Sequence, residues 1–234
     1  MTMTSPVTKL TKDVGTTIKP GPMVVAHPDQ VVTDADLKAM SGTTGLNGPF
    51  LADLLGSFAT HENMGVNLFR TLRAVSANPM LQTSYTKFEA DAVVAVEAYE
   101  TLITALGGRP KYISPPGRMT EGLDSKMIES LQGSGSADPM TVELKGVEMA
   151  LLAATMCVSN VALLTRIAEG LDEGPAKTAM ETAVTALYGP AEQHLEWAAK
   201  TQQTLVLTQV KSRLAQQAGA VMETVAGKIK DVLT

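Results

Sequence analysis

Apolar residues recur at three- and four-residue steps over four long stretches of this chain, the spacing of helices that bury one face. The first stretch runs from about Pro49 to Ala77, and Leu51, Leu55, Phe58, Val66 and Phe69 fall within one narrow arc of it. Glu62 lies in the middle of that arc. A carboxylate on a core stripe is costly to bury without a hydrogen bond, an ion pair or a metal, so the pattern makes its partners the first question. The second stretch, from near Met80 to Leu106, turns Leu81, Phe88, Ala92, Ala95, Tyr99, Leu102 and Leu106 inward. The third starts near Asp138-Pro139 and reaches Gly170, with Leu144, Val147, Leu151, Ala154, Val158 and Ala162 inward. The fourth carries Met180, Ala183, Leu187, Ala191, His194, Trp197, Thr201 and Leu205 on one face, and Gly189-Pro190 predicts a kink in it.

The breaks between stretches set the topology. Asn78-Pro79 and Asp172-Glu173-Gly174-Pro175 are short turns, so each joins two antiparallel neighbours. Gly107-Gly108-Arg109-Pro110 stops the second helix, and residues 111 to 138 are too long for a hairpin. They form a crossover with a short helix over Met119 to Leu131. The expected fold is therefore all-α, an antiparallel four-helix bundle with one long crossover over residues 47–210. Residues 1–46, rich in Thr, Pro, Gly and Val, read as an extended N-terminal arm containing one short helix that Thr33 caps and Gly42 stops. Residues 211–234 read as a C-terminal amphipathic helix with Leu214, Ala218, Val221, Val225, Ile229 and Val232 on one side. That helix packs on the bundle or on a second subunit, with a membrane-surface or cargo role as the competing reading.

Composition narrows the partners. The chain is 44% hydrophobic but only 4% aromatic, with 13 Met, which suits helices packed through Leu, Ala, Val and Met. The net charge of -5, with no cluster of Lys and Arg, argues against nucleic acid as a partner. The single cysteine, Cys157, excludes an intrachain disulfide framework and fits a reducing, cytoplasmic setting, where it reads as a small core or interface residue. Neither a signal peptide nor an apolar run near twenty residues is evident, so no transmembrane segment is expected.

Three phrases carry more than topology: Ser57-Phe58-Ala59-Thr60-His61-Glu62, Leu106-Gly107-Gly108-Arg109-Pro110 and His194-Leu195-Glu196-Trp197. In this order and spacing, over roughly residues 50 to 208, they resemble a bacterial branch of the ferritin-like superfamily, the group that includes bacterioferritins and rubrerythrins. The resemblance implies a centre of two irons or manganeses held by Glu residues and Glu-x-x-His pairs from four helices. Carried onto this chain, those positions fall on Glu62, on Ala92 and Ala95, on Ala154, and on Ala191 with His194. Alanine offers a metal neither charge nor an electron pair, so the expected site is degenerate, with Glu62 and His194 surviving. An alternative register on the third helix adds Glu148, which would give a single, weakly held iron or manganese and an oxidoreductase or iron-handling role.

With the metal chemistry withdrawn, Glu62 reads as an inherited core carboxylate bonded to Tyr99, His194 or water, and His194 as a buried, partnered imidazole. Trp197 and Tyr99 read as core anchors beside the old site. His61, one helical step of about 100° from Glu62, reads as an interface or surface residue, and His27 as solvated. The lost ligand volume predicts a cavity at the centre and, with it, a small apolar ligand. The function expected is that of a non-catalytic binding, structural or oligomer-forming subunit, partnered by its own copies or by a paralogous ferritin-like subunit.

Overall fold

A computed structural model of the protein describes residues 27–133 and 138–233, with side chains as far as residue 211. Helices make up its regular structure, and no strand occurs among the described residues. After a short turn at Pro28–Gln30 come α1 (Asp34–Thr44), α2 (Gly48–Val75), α3 (Pro79–Ala105), α4 (Pro115–Gln132), α5 (Pro139–Glu169) and α6 (Pro175–Leu233). The starts follow directly from the sequence. Helices α2 to α6 each place a proline in the first or second position, where its fixed φ suits the helix and its missing donor costs nothing. Just before the first five helices stand Thr33, Asn47, Asn78, Ser114 and Asp138, whose side chains accept free backbone N–H groups of the first turn. Each such cap is worth about 1 kcal/mol.

Helix α2 packs along α3 and α5 along α6, while α3 also meets α6 and α2 meets α5. The four long helices thus touch in a closed cycle, α2, α3, α6, α5 and back to α2. Helix α4 lies on α2 and α5, and α1 on α2 and α6. The apolar interior has two parts. One gathers Leu55, Phe58, Tyr99, Leu102, Leu164 and Met180, the other Phe69, Leu72, Tyr85, Phe88 and Val147. Phe58 belongs to the first and Val66 to the second, so Glu62, one helical turn from each, sits where they meet.

The expected boundaries shift in several places. The short helix expected in the arm under the Thr33 cap is α1, and it is docked on the body: Arg109 Nε donates to Asp36 Oδ2 at 2.7 Å and Arg109 Nη1 to the Pro28 carbonyl at 3.2 Å. Helix α1 passes through Gly42 and ends at Gly45, whose φ of 69° supplies the left-handed cap, as Gly107 at 84° does after α3. The crossover helix begins four residues before Met119, at Pro115, under the Ser114 cap. No break separates a fourth helix from a tail helix, since α6 continues through Gly189-Pro190 and past Lys211. Among the described side chains its last buried residue is Leu205, with Leu207 and Val210 exposed beyond it. The tail's apolar stripe from Leu214 lies outside the described side chains, and residues 1–26 outside the described residues. Ala162 faces solvent because Val161 and Leu164 take the inner positions around it. Helix α5 is also long and apolar enough, by length and composition, to cross a membrane, where no such run was expected.

Glu143 near the start of α5 fastens this helix to the α2 to α3 turn. Its buried carboxylate accepts from Ser76 Oγ at 2.8 Å, from Ala77 N at 2.7 Å and from Asn78 N at 2.9 Å. Hydrogen bonds to a charged acceptor are each worth about 1.5–3 kcal/mol, and removing the acceptor leaves its donors unpaired. Glu143→Ala is therefore expected to lower the unfolding free energy measured in urea by roughly 2–4 kcal/mol, with Glu143→Gln intermediate.

Candidate functional site

Two polar centres interrupt the apolar interior. The first is built by α2 and α4. His61 is 3% exposed, its Nδ1 lies 2.8 Å from Asp124 Oδ2 and its Nε2 lies 3.1 Å from the Ala153 carbonyl oxygen of α5. A carboxylate and a carbonyl both accept, so two N–H donors are required, and only the imidazolium carries both. Burial alone would lower the His61 pKa, but the Asp124 carboxylate, with Glu62 nearby, outweighs it and holds the ring above its ordinary 6.5. His61 is thus a buried, paired residue and not the surface or interface residue expected. The step from Glu62 turns it toward α4, which covers that side of α2.

Glu62, one residue on, is also buried but faces the other way. Burial raises its carboxyl pKa above the ordinary 4.5, against the opposing pull of His61 and a hydrogen bond with the Cys157 side chain of α5. That bond in turn makes the thiol harder to ionise, on top of the burial that already pushes Cys157 well up. Tyr99 is fully buried close by, and its hydroxyl has no hydrogen-bond partner. Burial first, then the charges of Glu62 and Cys157, raise its pKa. The Cys157 thiol is thus a polar neighbour of Glu62 that helical spacing did not offer, while the Tyr99 hydroxyl is left without a partner.

His194 anchors the second centre. Its Nε2 lies 2.9 Å from Asp91 Oδ2, and Lys87 Nζ donates to the same oxygen at 2.6 Å. The ring packs on Phe88, with centroids 4.0 Å apart, and on Phe69 at 5.7 Å. Trp197 extends the stack, 4.9 Å from Phe88 and 5.7 Å from Tyr85. Burial lowers the His194 pKa below 6.5, because Asp91, already satisfied by Lys87, only partly opposes it. Two histidines of one core are thus driven in opposite directions, one toward the cation and one toward the neutral ring.

A small cavity of about 20 Å³ separates the centres. Glu62 and Cys157 form one wall, Asp91 and His194 another, and Ala92, Ala95 and Ala191 lie between. The volume holds about one water, far below the 300 Å³ or more of a typical ligand pocket, so the hollow expected for a small apolar ligand is nearly closed. Ala154 is buried but does not line it. Glu148 is on the outside, its carboxylate 2.6 Å from Lys145 Nζ, so the alternative register does not bring it to the centre. Among the described residues no three His, Cys, Asp or Glu side chains converge in a way that would hold a metal ion. The donors do not fit a di-metal centre: the positions between Glu62 and His194 are alanines, and His194 Nε2 is engaged by Asp91.

Asp124 and Asp91 were missed in the sequence. Asp124 had a signal, since Gly117, Asp124 and Leu131 lie seven residues apart on one buried face of α4. Asp91 had none beyond adjacency to Ala92. No family model, curated protein or solved structure matches the chain.

The pKa directions fix the sign of the pH dependence. Folding favours protonated His61 and protonated Glu62, so their contributions are whole below pH 6.5 and pH 4.5 respectively and fade as pH rises through the raised folded values. Folding favours neutral His194, so its contribution is whole above pH 6.5 and is lost as pH falls toward the lowered value. Glu62→Gln is accordingly expected to be at least as stable as the wild type at pH 8 in urea unfolding, with the difference shrinking toward pH 4. A variant clearly weaker at pH 8 would contradict this. Asp124→Ala leaves a buried imidazolium without its counter-charge and is expected to cost about 3 kcal/mol or more at pH 6.

Proposed function

We propose that the chain is a ferritin-like four-helix bundle, antiparallel with one long crossover, whose di-metal chemistry has been lost. In this reading it serves as a non-catalytic binding, structural or oligomer-forming subunit, beside its own copies or an intact paralogous subunit, in a reducing cytoplasm. The closed cycle of α2, α3, α6 and α5, with α4 placed between the two hairpins, supports the fold part of the reading. One observation carries the functional part. The wall between Glu62 and His194 is made of Ala92, Ala95 and Ala191, and the two polar residues have Cys157 and Asp91 as their neighbours. Four helices converge there, yet three of the positions at which a di-metal centre needs oxygen or nitrogen donors are aliphatic.

Elemental analysis tests this reading. Protein expressed in medium supplemented with iron and manganese, and freed of loosely bound ions, is expected to carry well under one metal per chain. Metal near one per chain that disappears in Glu62→Ala would overturn the reading in favour of an iron-handling protein with an atypical site.

A further inference from the structure

Helix α5 is apolar well beyond what the bundle buries. No charge stands between Glu148 and Arg166, yet only 39% of its most apolar eighteen-residue run is buried. Helices α2, α4 and α6 pack on it, and among the described residues no helix covers its remaining side. Leu152, 63% exposed, and Leu163, 48% exposed, stand on that open side, with Thr155, Ser159 and Ala162 exposed along the same strip. From Lys145 to Glu169 the strip advances by alternating steps of three and four residues, the spacing that keeps one seam of a helix against a partner helix over many turns.

The charges at the two ends of this seam complement each other. Lys145 and Glu148 close one end and Arg166 and Glu169 the other, paired within their own helix at 2.6 Å and 2.9 Å. Counted from Cys157, Lys145 and Glu169 each lie twelve residues away, Glu148 and Arg166 nine, Leu152 and Ala162 five, Thr155 and Ser159 two. Two copies of α5 laid antiparallel about a two-fold axis level with Cys157 therefore set every charge against its opposite, Lys145 against the partner's Glu169 and Glu148 against the partner's Arg166. A slip of one heptad either way moves the charges onto Ser159 and Ala162 or onto Leu152 and Thr155. A parallel pair sets each charge against its own copy. The middle also suits burial, because Thr155 Oγ1 already donates to the Leu151 carbonyl at 2.7 Å and keeps only an acceptor to offer the partner's Ser159 hydroxyl. At 1.5 Å per residue the seam is about 36 Å long and about 11 Å wide, about 400 Å² on each copy, a size that holds a reversible dimer and not a permanent one.

From this we propose that the open face of α5 is a self-association surface, whose occupant is α5 of a second copy, antiparallel and centred level with Cys157. The inference rests on the oligomer-forming part of the proposed function and names its interface. A lipid surface also takes apolar helix faces, but the charges at both ends of this seam find their opposites on a second copy and none in hydrocarbon.

Sedimentation of the full-length chain over about 1–500 µM tests it, with reversible dimerisation expected in that range. Leu152→Glu and Glu148→Arg are each expected to weaken the dimer at least about ten-fold and to leave the circular dichroism unchanged. Glu148→Arg combined with Arg166→Glu is expected to restore the affinity. The two positions lie about 27 Å apart along one helix, so such a rescue arises only between copies. Weakening by Glu148→Arg without rescue by the double variant would overturn the antiparallel register. Association that ignores all three variants would overturn this interface and leave the oligomer-forming reading standing, whereas a chain monomeric throughout would overturn both. Flotation of a monomeric chain with phosphatidylcholine vesicles, abolished by Leu152→Glu, would overturn the proposal in favour of a lipid surface.

Discussion

Two acceptors compete for the protons of one buried imidazole. His61 stands between the Asp124 carboxylate and the Ala153 carbonyl, and the requirement that both be satisfied fixes the ring as a cation and fixes three helices relative to it. Helix α2 supplies the ring, α4 the counter-charge and α5 the carbonyl. The pair seats α4 against α2, which makes the segment between the hairpins part of the core. It also stands next to Glu62. Burial raises the carboxyl's pKa, and neither the cation one residue away nor the Cys157 thiol undoes it.

Small side chains fill most of the centre. Ala92, Ala95 and Ala191 close in on the space between Glu62 and His194 until about one water's volume remains. His194 is drawn toward α3 by Asp91 and packed against Phe88, so it closes the aromatic part of the core instead of reaching across the cavity. Two polar pairs interrupt the core, His61 with Asp124 and His194 with Asp91. Separation also explains why the two histidines titrate in opposite directions. Asp124 serves His61 without a competing cation, whereas Asp91 is shared with Lys87.

The helices were legible because their signals are local. Asn78-Pro79, Ser114-Pro115 and Asp138-Pro139 each combine a side-chain acceptor with a residue that needs no donor, and each starts a helix where it stands. The inward direction of Glu62 and His194 was likewise readable from helical spacing. Their partners were not, because a stripe on one helix states which face is buried and not which neighbour covers it. His61 was assigned to the outside for that reason: its burial depends on α4, a segment the sequence presents as a connection. Glu148 illustrates the reverse, an edge position whose lysine at i−3 draws it outward. The continuous run of α6 through Gly189-Pro190 shows packing against α5 and α3 prevailing over a local helix breaker.

Glu62 decides the character of the centre: it is a core acid whose carboxyl burial holds above its ordinary range. Its titration, followed by the difference infrared spectrum of wild type minus Glu62→Gln with and without excess Mn²⁺, reads that state directly. The expected result is a carboxyl that titrates above 4.5 at a pH unchanged by the metal. A carboxylate that titrates below 4.5, or one whose band shifts when Mn²⁺ is added, would contradict it.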